Sequence, residues 1–167
     1  MEQATAGTAN KIRSREQLAA ILEKHRQRGH KVVFTNGCFD LMHIGHTRYL
    51  QAARSLGDLL VVGVNSDASV RKLDKGSDRP IVPDHQRSEV VAALACVDYV
   101  VVFEEPDPGE LIATLQPDVL VKGGDWSVDR IVGREMVEAR GGVVRTIPLV
   151  PGISTTTLIQ RIRAAKS

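Results

Sequence analysis

Apolar residues along the chain fall into five short runs that are rich in valine. Within each run the apolar residues are mostly continuous and do not alternate with polar ones, which is typical of parallel strands covered on both faces. The pattern therefore predicts five buried parallel strands. They are KVVFT at 31–35, LLVVGV at 59–64, YVVVF at 99–103, DVLVKG at 118–123 and VVRTIP at 143–148.

Segments with helical periodicity lie between these runs and on both sides of them. Ahead of the first strand, Ser14 and Gln17 form a capping-box pattern that opens a helix with one apolar face, and this helix should end near Gly29. The alternation of strands and helices predicts an α/β protein with a Rossmann-like, doubly wound five-stranded parallel sheet flanked by helices. The other predicted helices are at about 46–56, 84–95, 107–116, 132–140 and 154–165.

The chain has room for one domain. Its 167 residues, 43% of them hydrophobic, are enough to bury a sizeable core. No internal repeat, low-complexity tract or linker interrupts the pattern. We expect a flexible N-terminal tail at 1–12 and a single domain at 13–167.

Charge and cysteine content narrow the classes of partner. The 22 Lys and Arg residues against 20 Asp and Glu give a net charge of +2, too small for an overall field that attracts nucleic acid. Cys38 and Cys96 are too few and too far apart for a disulfide framework or a structural zinc site. No signal peptide and no apolar run of transmembrane length is visible. We expect a cytoplasmic protein that binds neither nucleic acid nor a membrane.

The segment TNGCFDLMHIGH at 35–46 joins the first predicted strand to a helix. In an open parallel sheet, ligands usually bind at such a turn, and Gly37 lets the backbone approach one closely. His43 and His46 are three residues apart at the start of the helix, so both imidazoles can lie on one face beside free N–H groups. Gly45 leaves room for a bulky phosphate chain. The segment therefore predicts a site for a triphosphate.

GCFDLMHIGH also resembles the HxGH signature of the nucleotidyltransferase superfamily, which includes class I aminoacyl-tRNA synthetases. The KMSKS loop of those synthetases does not occur in this sequence. GISTT at 152–156 instead resembles the second signature of the small cytidylyl- and adenylyltransferases, in which Ser and Thr hydroxyls and backbone amides hold the β- and γ-phosphates. Considered alone, Ser154 is equally consistent with an ordinary helix N-cap.

Four further segments make the resemblance more specific. VNSDASVRKLDKG at 64–76, RPIVP at 79–83, LVKGGDW at 120–126 and IVG at 131–133 resemble D-glycero-β-D-manno-heptose 1-phosphate adenylyltransferases, and the likeness runs from about residue 13 to 165. In many members of that family the adenylyltransferase is fused to a sugar kinase. This sequence shows no kinase segment, so the resemblance implies the stand-alone version of the adenylyltransferase.

The resemblance implies a specific reaction. AMP would pass from ATP to D-glycero-β-D-manno-heptose 1-phosphate, giving pyrophosphate and ADP-heptose, a precursor of the lipopolysaccharide core. It also implies Mg²⁺ bound mainly through the ATP phosphates and water with little ligation by the protein, and a homo-oligomer that is a dimer or larger.

The chemistry of this transfer indicates which residue types matter. The attacking phosphate oxygen is already ionised at pH 7, so the protein must position the substrates and stabilise developing charge without a general base. The predicted catalytic residues are His43, His46 and Lys72. The predicted nucleotide-binding residues are Asn36, Gly37, Phe39, Asp40, His43, Gly45, His46, Lys122, Gly123, Asp125, Gly152, Ile153, Ser154, Thr155 and Thr156. The predicted sugar-phosphate-binding residues are Asn65, Asp67, Lys72 and Arg87, with Arg71 and Lys75 as second choices.

Some of these assignments have simpler alternatives. The loop around Lys72 could be a solvated basic loop, and Arg87 could form an ordinary surface ion pair. Asp40 could be a cap or a solvated loop acid.

Two other functions remain open from the sequence. Glycerol-3-phosphate cytidylyltransferases share GCFDxxHxGH and GISTT but typically carry RTEGIS where this chain has LVPGIS at 149–154. A regulatory module could bind a nucleotide without turning it over. The presence of both HxGH histidines favours the enzyme.

Overall fold

A computed structural model of the protein describes residues 6–73, 78–124 and 126–165. Five strands form one all-parallel sheet in the order β3-β2-β1-β4-β5. This confirms the predicted doubly wound α/β fold, and the strand ends lie within two residues of their predicted positions. The strands are β1 Val32–Gly37, β2 Leu59–Asn65, β3 Tyr99–Phe103, β4 Val119–Gly123 and β5 Val143–Ile147.

Helices cover both faces of this sheet. The capping box at the start of α2 is present, because the Ser14 hydroxyl accepts from the Gln17 amide and the Gln17 side chain accepts from the Ser14 amide. α1 and α4 were not predicted, since segments of four and six residues are too short to show a helical period. The helices are α1 Ala6–Ala9, α2 Arg15–Gln27, α3 Ile44–Arg54, α4 Asp67–Lys72, α5 Asp84–Ala92, α6 Gly109–Leu115, α7 Arg134–Ala139 and α8 Thr155–Ala164, and a short 3₁₀ helix spans Val128–Arg130.

Two apolar clusters, one on each face of the sheet, form the core. Leu22 of α2 and Leu115 of α6 belong to the cluster that contains Phe34, whereas Leu50 of α3 belongs to the cluster that contains Val33. Successive residues of β1 thus enter opposite clusters, as the side chains of a strand must. This arrangement is why the apolar runs in the sequence are continuous.

Part of the predicted N-terminal tail pairs with the edge of the sheet. The Arg13 amide donates to the Val100 carbonyl, and the Val100 amide donates to the Lys11 carbonyl, each at 2.9 Å. Ile12 thereby forms an isolated parallel bridge beside β3, whose outer edge would otherwise be open. Residues 1–5 lie outside the described residues, and the division into a flexible tail and one domain stays a prediction.

The strand order places a crevice at one edge of the sheet. From β1 the chain proceeds to β2 and β3 on one side, and β4 and β5 lie on the other, so the connections diverge between β1 and β4. In folds of this type, ligands bind at the carboxyl ends of the two strands that flank such a point. No helix within residues 6–73, 78–124 or 126–165 is both long and apolar enough to cross a bilayer.

Candidate active site

A cavity of about 470 Å³ opens at the carboxyl ends of β1 and β4. Its walls are the loop after β1 with the start of α3, the end of β4, the segment before α8, and Arg79. The cavity thus combines the two segments that carry the sequence signatures. The lining residues are Asn36, Gly37, Cys38, Phe39, Asp40, His43, Gly45, His46, Tyr49, Arg79, Gly123, Leu149, Val150, Ile153, Ser154, Thr155 and Thr156.

His43 is the N-cap of α3. Its backbone is extended, with φ −147° and ψ 172°, and its Nδ1 accepts from the Gly45 amide at 3.1 Å. Because Nδ1 is an acceptor, the ring hydrogen is on Nε2, which can donate to a ligand. Burial lowers the pKa of His43, so the ring is neutral at pH 7. A Cβ at Gly45 would lie 2.8 Å from two atoms of the His43 ring, so this ring position requires glycine.

His46 lies between the ring of His43 and that of Phe39. It stacks on His43 with ring centroids 3.8 Å apart and meets Phe39 edge-on at 5.3 Å. Phe39 is buried and adopts φ 48°, a left-handed conformation that an aromatic residue rarely takes. A Cβ at Gly37 would lie 3.0 Å from the Phe39 ring. Strained backbone, glycine and ring packing together hold the imidazoles in place before any ligand arrives.

The start of α8 lies directly beside the start of α3. A Cβ at Gly45 would be 3.6 Å from Cγ2 of Ile153, the residue that precedes the N-cap of α8. Ser154 is that N-cap, since its hydroxyl accepts from the Thr157 amide at 3.0 Å. The first N–H groups of a helix have no partner within the helix, and the helix dipole is positive there. Two helices of 11 and 10 residues therefore direct their amino ends to one cavity, which suits an anion.

Lys122 and Asn36 join the two central strands at this edge. The Lys122 ammonium donates to Oδ1 of Asn36, across the point where β1 and β4 end. Lys122 does not line the cavity, whereas the next residue, Gly123, does. Gly124 adopts φ 90°, which lets the chain turn sharply after β4. The predicted contact of Asp125 falls outside the described residues.

Two of the predicted sugar-phosphate-binding residues, Asn65 and Asp67, form hydrogen bonds with other residues of the protein. Asn65 is buried and its amide donates to Ser69 Oγ at 2.9 Å. Asp67 accepts a hydrogen bond at 2.9 Å from the amide of Asp84, the first residue of α5. Neither residue lines the cavity, so the structure does not place them against a ligand there.

Lys72 and Arg71 lie in the last turn of α4, and both are exposed. Neither lines the cavity, and Lys75 lies outside the described residues. The contact of Lys72 with a sugar phosphate stays a prediction.

Arg87 requires a correction. Its side chain is fully buried, so it forms neither the predicted contact with an acceptor phosphate nor an ordinary surface ion pair. Its three donor groups contact the Val82 carbonyl at 2.8 Å, the Cys38 carbonyl at 2.5 Å and Asp67 Oδ1 at 2.8 Å. The face of α5 that carries Arg87 packs on the sheet. Through these contacts Arg87 connects α5 to the loop after β1 and to α4.

Asp40 is neither a helix cap nor a solvated loop acid. Its carboxylate is completely buried and accepts from Nε of Arg79 at 2.6 Å and from the amides of Ile81 and Val82 at 2.9 Å. Burial alone would raise the pKa of Asp40, but these hydrogen bonds together hold it below its ordinary value. Asp40 is therefore an anion that fixes the segment of Arg79 to the cavity wall.

Arg79 is a cavity residue that the sequence did not indicate. In the sequence Arg79 stands out only as part of RPIVP, and its partner Asp40 is 39 residues earlier in the chain. No local pattern could have shown that the two side chains meet.

The described residues contain no group of three or more His, Cys, Asp or Glu side chains placed to hold a metal ion. The polar groups of the cavity are instead imidazoles, hydroxyls, one amide and the Arg79–Asp40 pair. These groups are suited to binding phosphate oxygens.

Comparison with known sequences gives matches along most of the chain. Residues 34–161 match the family model described as Cytidylyltransferase-like. The bifunctional protein HldE of Syntrophotalea carbinolica is 59% identical over 153 residues, which is 92% of this chain and 31% of that protein. The HldE protein of Geobacter sulfurreducens is 54% identical over 155 residues, 93% of this chain and again 31% of the relative. The chain thus spans about a third of the length of these curated relatives.

Comparison with solved structures supports the same fold. The lipopolysaccharide core biosynthesis protein from Thermoplasma volcanium is 29% identical, with a TM-score of 0.61 over 73% of this chain and 98% of that one. The pantoate-beta-alanine ligase from Francisella tularensis is 14% identical, with a TM-score of 0.60 over 93% of this chain and 78% of that one. The second likeness concerns the fold alone.

Proposed function

The chain belongs to the cytidylyltransferase-like family, and we propose that it transfers AMP from ATP to D-glycero-β-D-manno-heptose 1-phosphate and releases pyrophosphate. The membership agrees with the family predicted from GCFDLMHIGH and GISTT. The choice of acceptor is supported by the segments at 64–76, 79–83, 120–126 and 131–133, and by the high identity to HldE proteins along the chain.

One observation carries the proposal: the amino ends of α3 and α8 converge on one cavity beside the stacked pair His43 and His46. A triphosphate there would place its β- and γ-phosphates at the start of α8 and its α- and β-phosphates near the imidazoles. An oxygen of the sugar phosphate attacks the α-phosphorus, the bond to pyrophosphate breaks, and the bonding electrons leave with pyrophosphate. No proton has to move in this step, so binding geometry and charge stabilisation supply the catalysis.

Mg²⁺ would be held mainly by the triphosphate and water. Asp40 is the only carboxylate among the described residues that line the cavity, and its oxygens already accept three hydrogen-bond donors. The donor set fits a metal that enters with the nucleotide, since Mg²⁺ commonly keeps water and phosphate oxygens as ligands. When bound, the ion would neutralise part of the triphosphate charge.

The test is a pyrophosphate-release assay with ATP and CTP, each combined with heptose 1-phosphate, glycerol 3-phosphate and other sugar phosphates. We expect release with ATP and the heptose 1-phosphate well above any other pair. Efficient use of CTP with glycerol 3-phosphate would support the cytidylyltransferase alternative. Binding of ATP without release from any pair would support a regulatory module. Sedimentation analysis of the same preparation tests the predicted homo-oligomer.

A further inference from the structure

We propose that Arg79 binds the phosphate group of the acceptor, next to the α-phosphate of the bound nucleotide. This inference rests on the proposed function, because it assigns the second phosphate of that reaction to a side chain. It begins from charge: among the described residues that line the cavity, Arg79 is the one side chain with a permanent positive charge.

The guanidinium group of Arg79 is held by Asp40 through its Nε atom. Nε of Arg79 donates a hydrogen bond to Asp40 Oδ2 at 2.6 Å. Within the described residues, this is the one hydrogen bond of the Arg79 side chain. Its two terminal nitrogens, Nη1 and Nη2, have no partner among those residues. The side chain is 8% exposed and lies on the cavity wall. A largely buried arginine that lines a cavity and keeps planar donors without a partner among the described residues is suited to a phosphate oxygen, because these donors match that geometry.

The anchor of Arg79 is itself rigid. Asp40 also accepts the amides of Ile81 and Val82, so three donors fix its carboxylate. Because this carboxylate is an anion, it balances the arginine charge while the cavity is empty. An incoming phosphate would then meet an oriented cation, which reduces the cost of ordering the side chain on binding.

The position of Arg79 favours the acceptor over the triphosphate. The segment that carries it leads into α5, which packs on β2 and β3, whereas α8 follows β5 on the other side of the crevice. The helix starts of α3 and α8 already provide the triphosphate site. Arg79 is thus placed on the side from which a second phosphate must approach. The other predicted cations do not compete for this role, since Arg87 is buried elsewhere and Lys72 does not line the cavity.

The test uses the full chain and three variants. Arg79→Gln removes the charge, and Arg79→Lys keeps the charge and an ion pair with Asp40 but loses the planar donors. Arg54→Gln is the matched control, because Nε of Arg54 forms a similar pair with Asp98 at 2.9 Å on the opposite edge of the sheet. Thermal unfolding of each variant shows which ones remain folded.

Two readouts are measured on the folded variants. In the transfer assay, we expect kcat/KM for the sugar phosphate to fall about 100-fold in Arg79→Gln and about tenfold in Arg79→Lys, with the ATP dissociation constant changed less than about threefold. In calorimetry, the protein is saturated with a non-hydrolysable ATP analogue and titrated with inorganic phosphate. Phosphate binding should be present in the wild type and in Arg54→Gln, and absent in Arg79→Gln.

The outcomes separate this inference from the proposed function. If wild type releases no pyrophosphate but binds inorganic phosphate through Arg79, the proposed reaction is wrong and the phosphate site stands. If transfer is normal and both Arg79 variants keep wild-type kinetics and phosphate binding, the site assigned to Arg79 is wrong. Equal losses of ATP affinity and acceptor affinity would show that Arg79 only maintains the cavity wall, which also overturns the inference.

Discussion

The rings of His43 and His46 stack with their centroids 3.8 Å apart and their planes 20° apart. Both belong to the start of α3, and a hydrogen bond from the Gly45 amide fixes the ring of His43. The two imidazoles thus form one rigid surface on the wall of the cavity. A change to either ring should alter how charge is stabilised there, with little effect on the rest of the fold.

His46→Asn tests this surface. Asn keeps a donor but has a shorter reach and cannot carry the charge of an imidazolium. We expect kcat to fall by a factor on the order of 10² to 10³, as for loss of an oriented charge-stabilising donor, with a much smaller change in ATP affinity. Single-turnover rates and equilibrium ATP binding are compared, with the exposed His85→Asn as control. Binding lost in proportion to rate would mean that His46 only holds the triphosphate.

Nucleotide choice is a second prediction. We expect ATP to be used well above CTP, because the segments near 122–125 and 147–153 resemble the adenylyltransferases and lack the RTEGIS arginine. A competition assay with both nucleotides and one acceptor measures the ratio of the two kcat/KM values. Preference for CTP would refute the heptose assignment and leave the fold intact.

Lys72→Ala tests the predicted role of the exposed end of α4. If Lys72 approaches the sugar phosphate, its loss should raise KM for that substrate or lower kcat about tenfold or more, equivalent to roughly 1.4 kcal/mol. Folding should be unchanged because the side chain is exposed. Lys24→Ala, exposed on α2, is the control. Kinetics like those of the control would show that Lys72 is merely solvated.

Arg87→Met should reduce stability strongly. The change removes three hydrogen bonds and leaves the buried Cys38 carbonyl without its Arg87 donor. We expect the free energy of unfolding to fall by about 2–4 kcal/mol. Urea unfolding measures the loss, and Arg71→Ala on the exposed side of α4 should stay within about 0.5 kcal/mol of wild type. A stable Arg87→Met protein would contradict the role of Arg87 in holding the loop after β1.

Stability should also fall on mild acidification. Nδ1 of His25 contacts Nδ1 of His30 at 2.9 Å, and His25 also faces Tyr99, Arg28 and Asp98. Burial, then the charges of His30 and Arg28, lower the pKa of His25 in the folded protein. The unfolded chain therefore binds more protons here, so this contribution is present above about pH 6.5 and is lost as the pH falls through that value.

Unfolding at pH 7.5 and at pH 5.5 checks this expectation, and His25→Gln should show a smaller difference between the two. Burial lowers the pKa of His43 as well, so some pH dependence should remain in that variant. An unchanged pH dependence in His25→Gln would exclude His25 as a contributor.

The sequence was sufficient for the sheet and for the two helix starts that line the cavity. Strand runs such as 59–64 are continuous because both faces are buried, and this signal is local. The same holds for His43, His46 and Ser154, whose places at helix starts follow from neighbouring residues. Glycines such as Gly37 and Gly45 also marked positions where space is needed.

The cations could not be assigned in this way. Arg79 and Arg87 lie eight residues apart in the chain, yet Arg79 lines the cavity and the side chain of Arg87 is buried between α5 and its neighbours. Their partners, Asp40 and the Cys38 carbonyl, come from a segment about 40 to 50 residues earlier. Which arginine lines the cavity depends on tertiary contacts, and hydrophobic periodicity carries no information about these.

The contact between the start of α3 and Ile153 has a consequence for synthesis. The start of α3 and Ser154 are separated by more than 100 residues, and all five strands are translated before Ser154. A ribosome therefore completes the synthesis of all five strands before it adds the start of α8. A stop codon just ahead of Ser154 would keep all five strands and remove α8, so the proposed triphosphate site would lack one of its two helix starts.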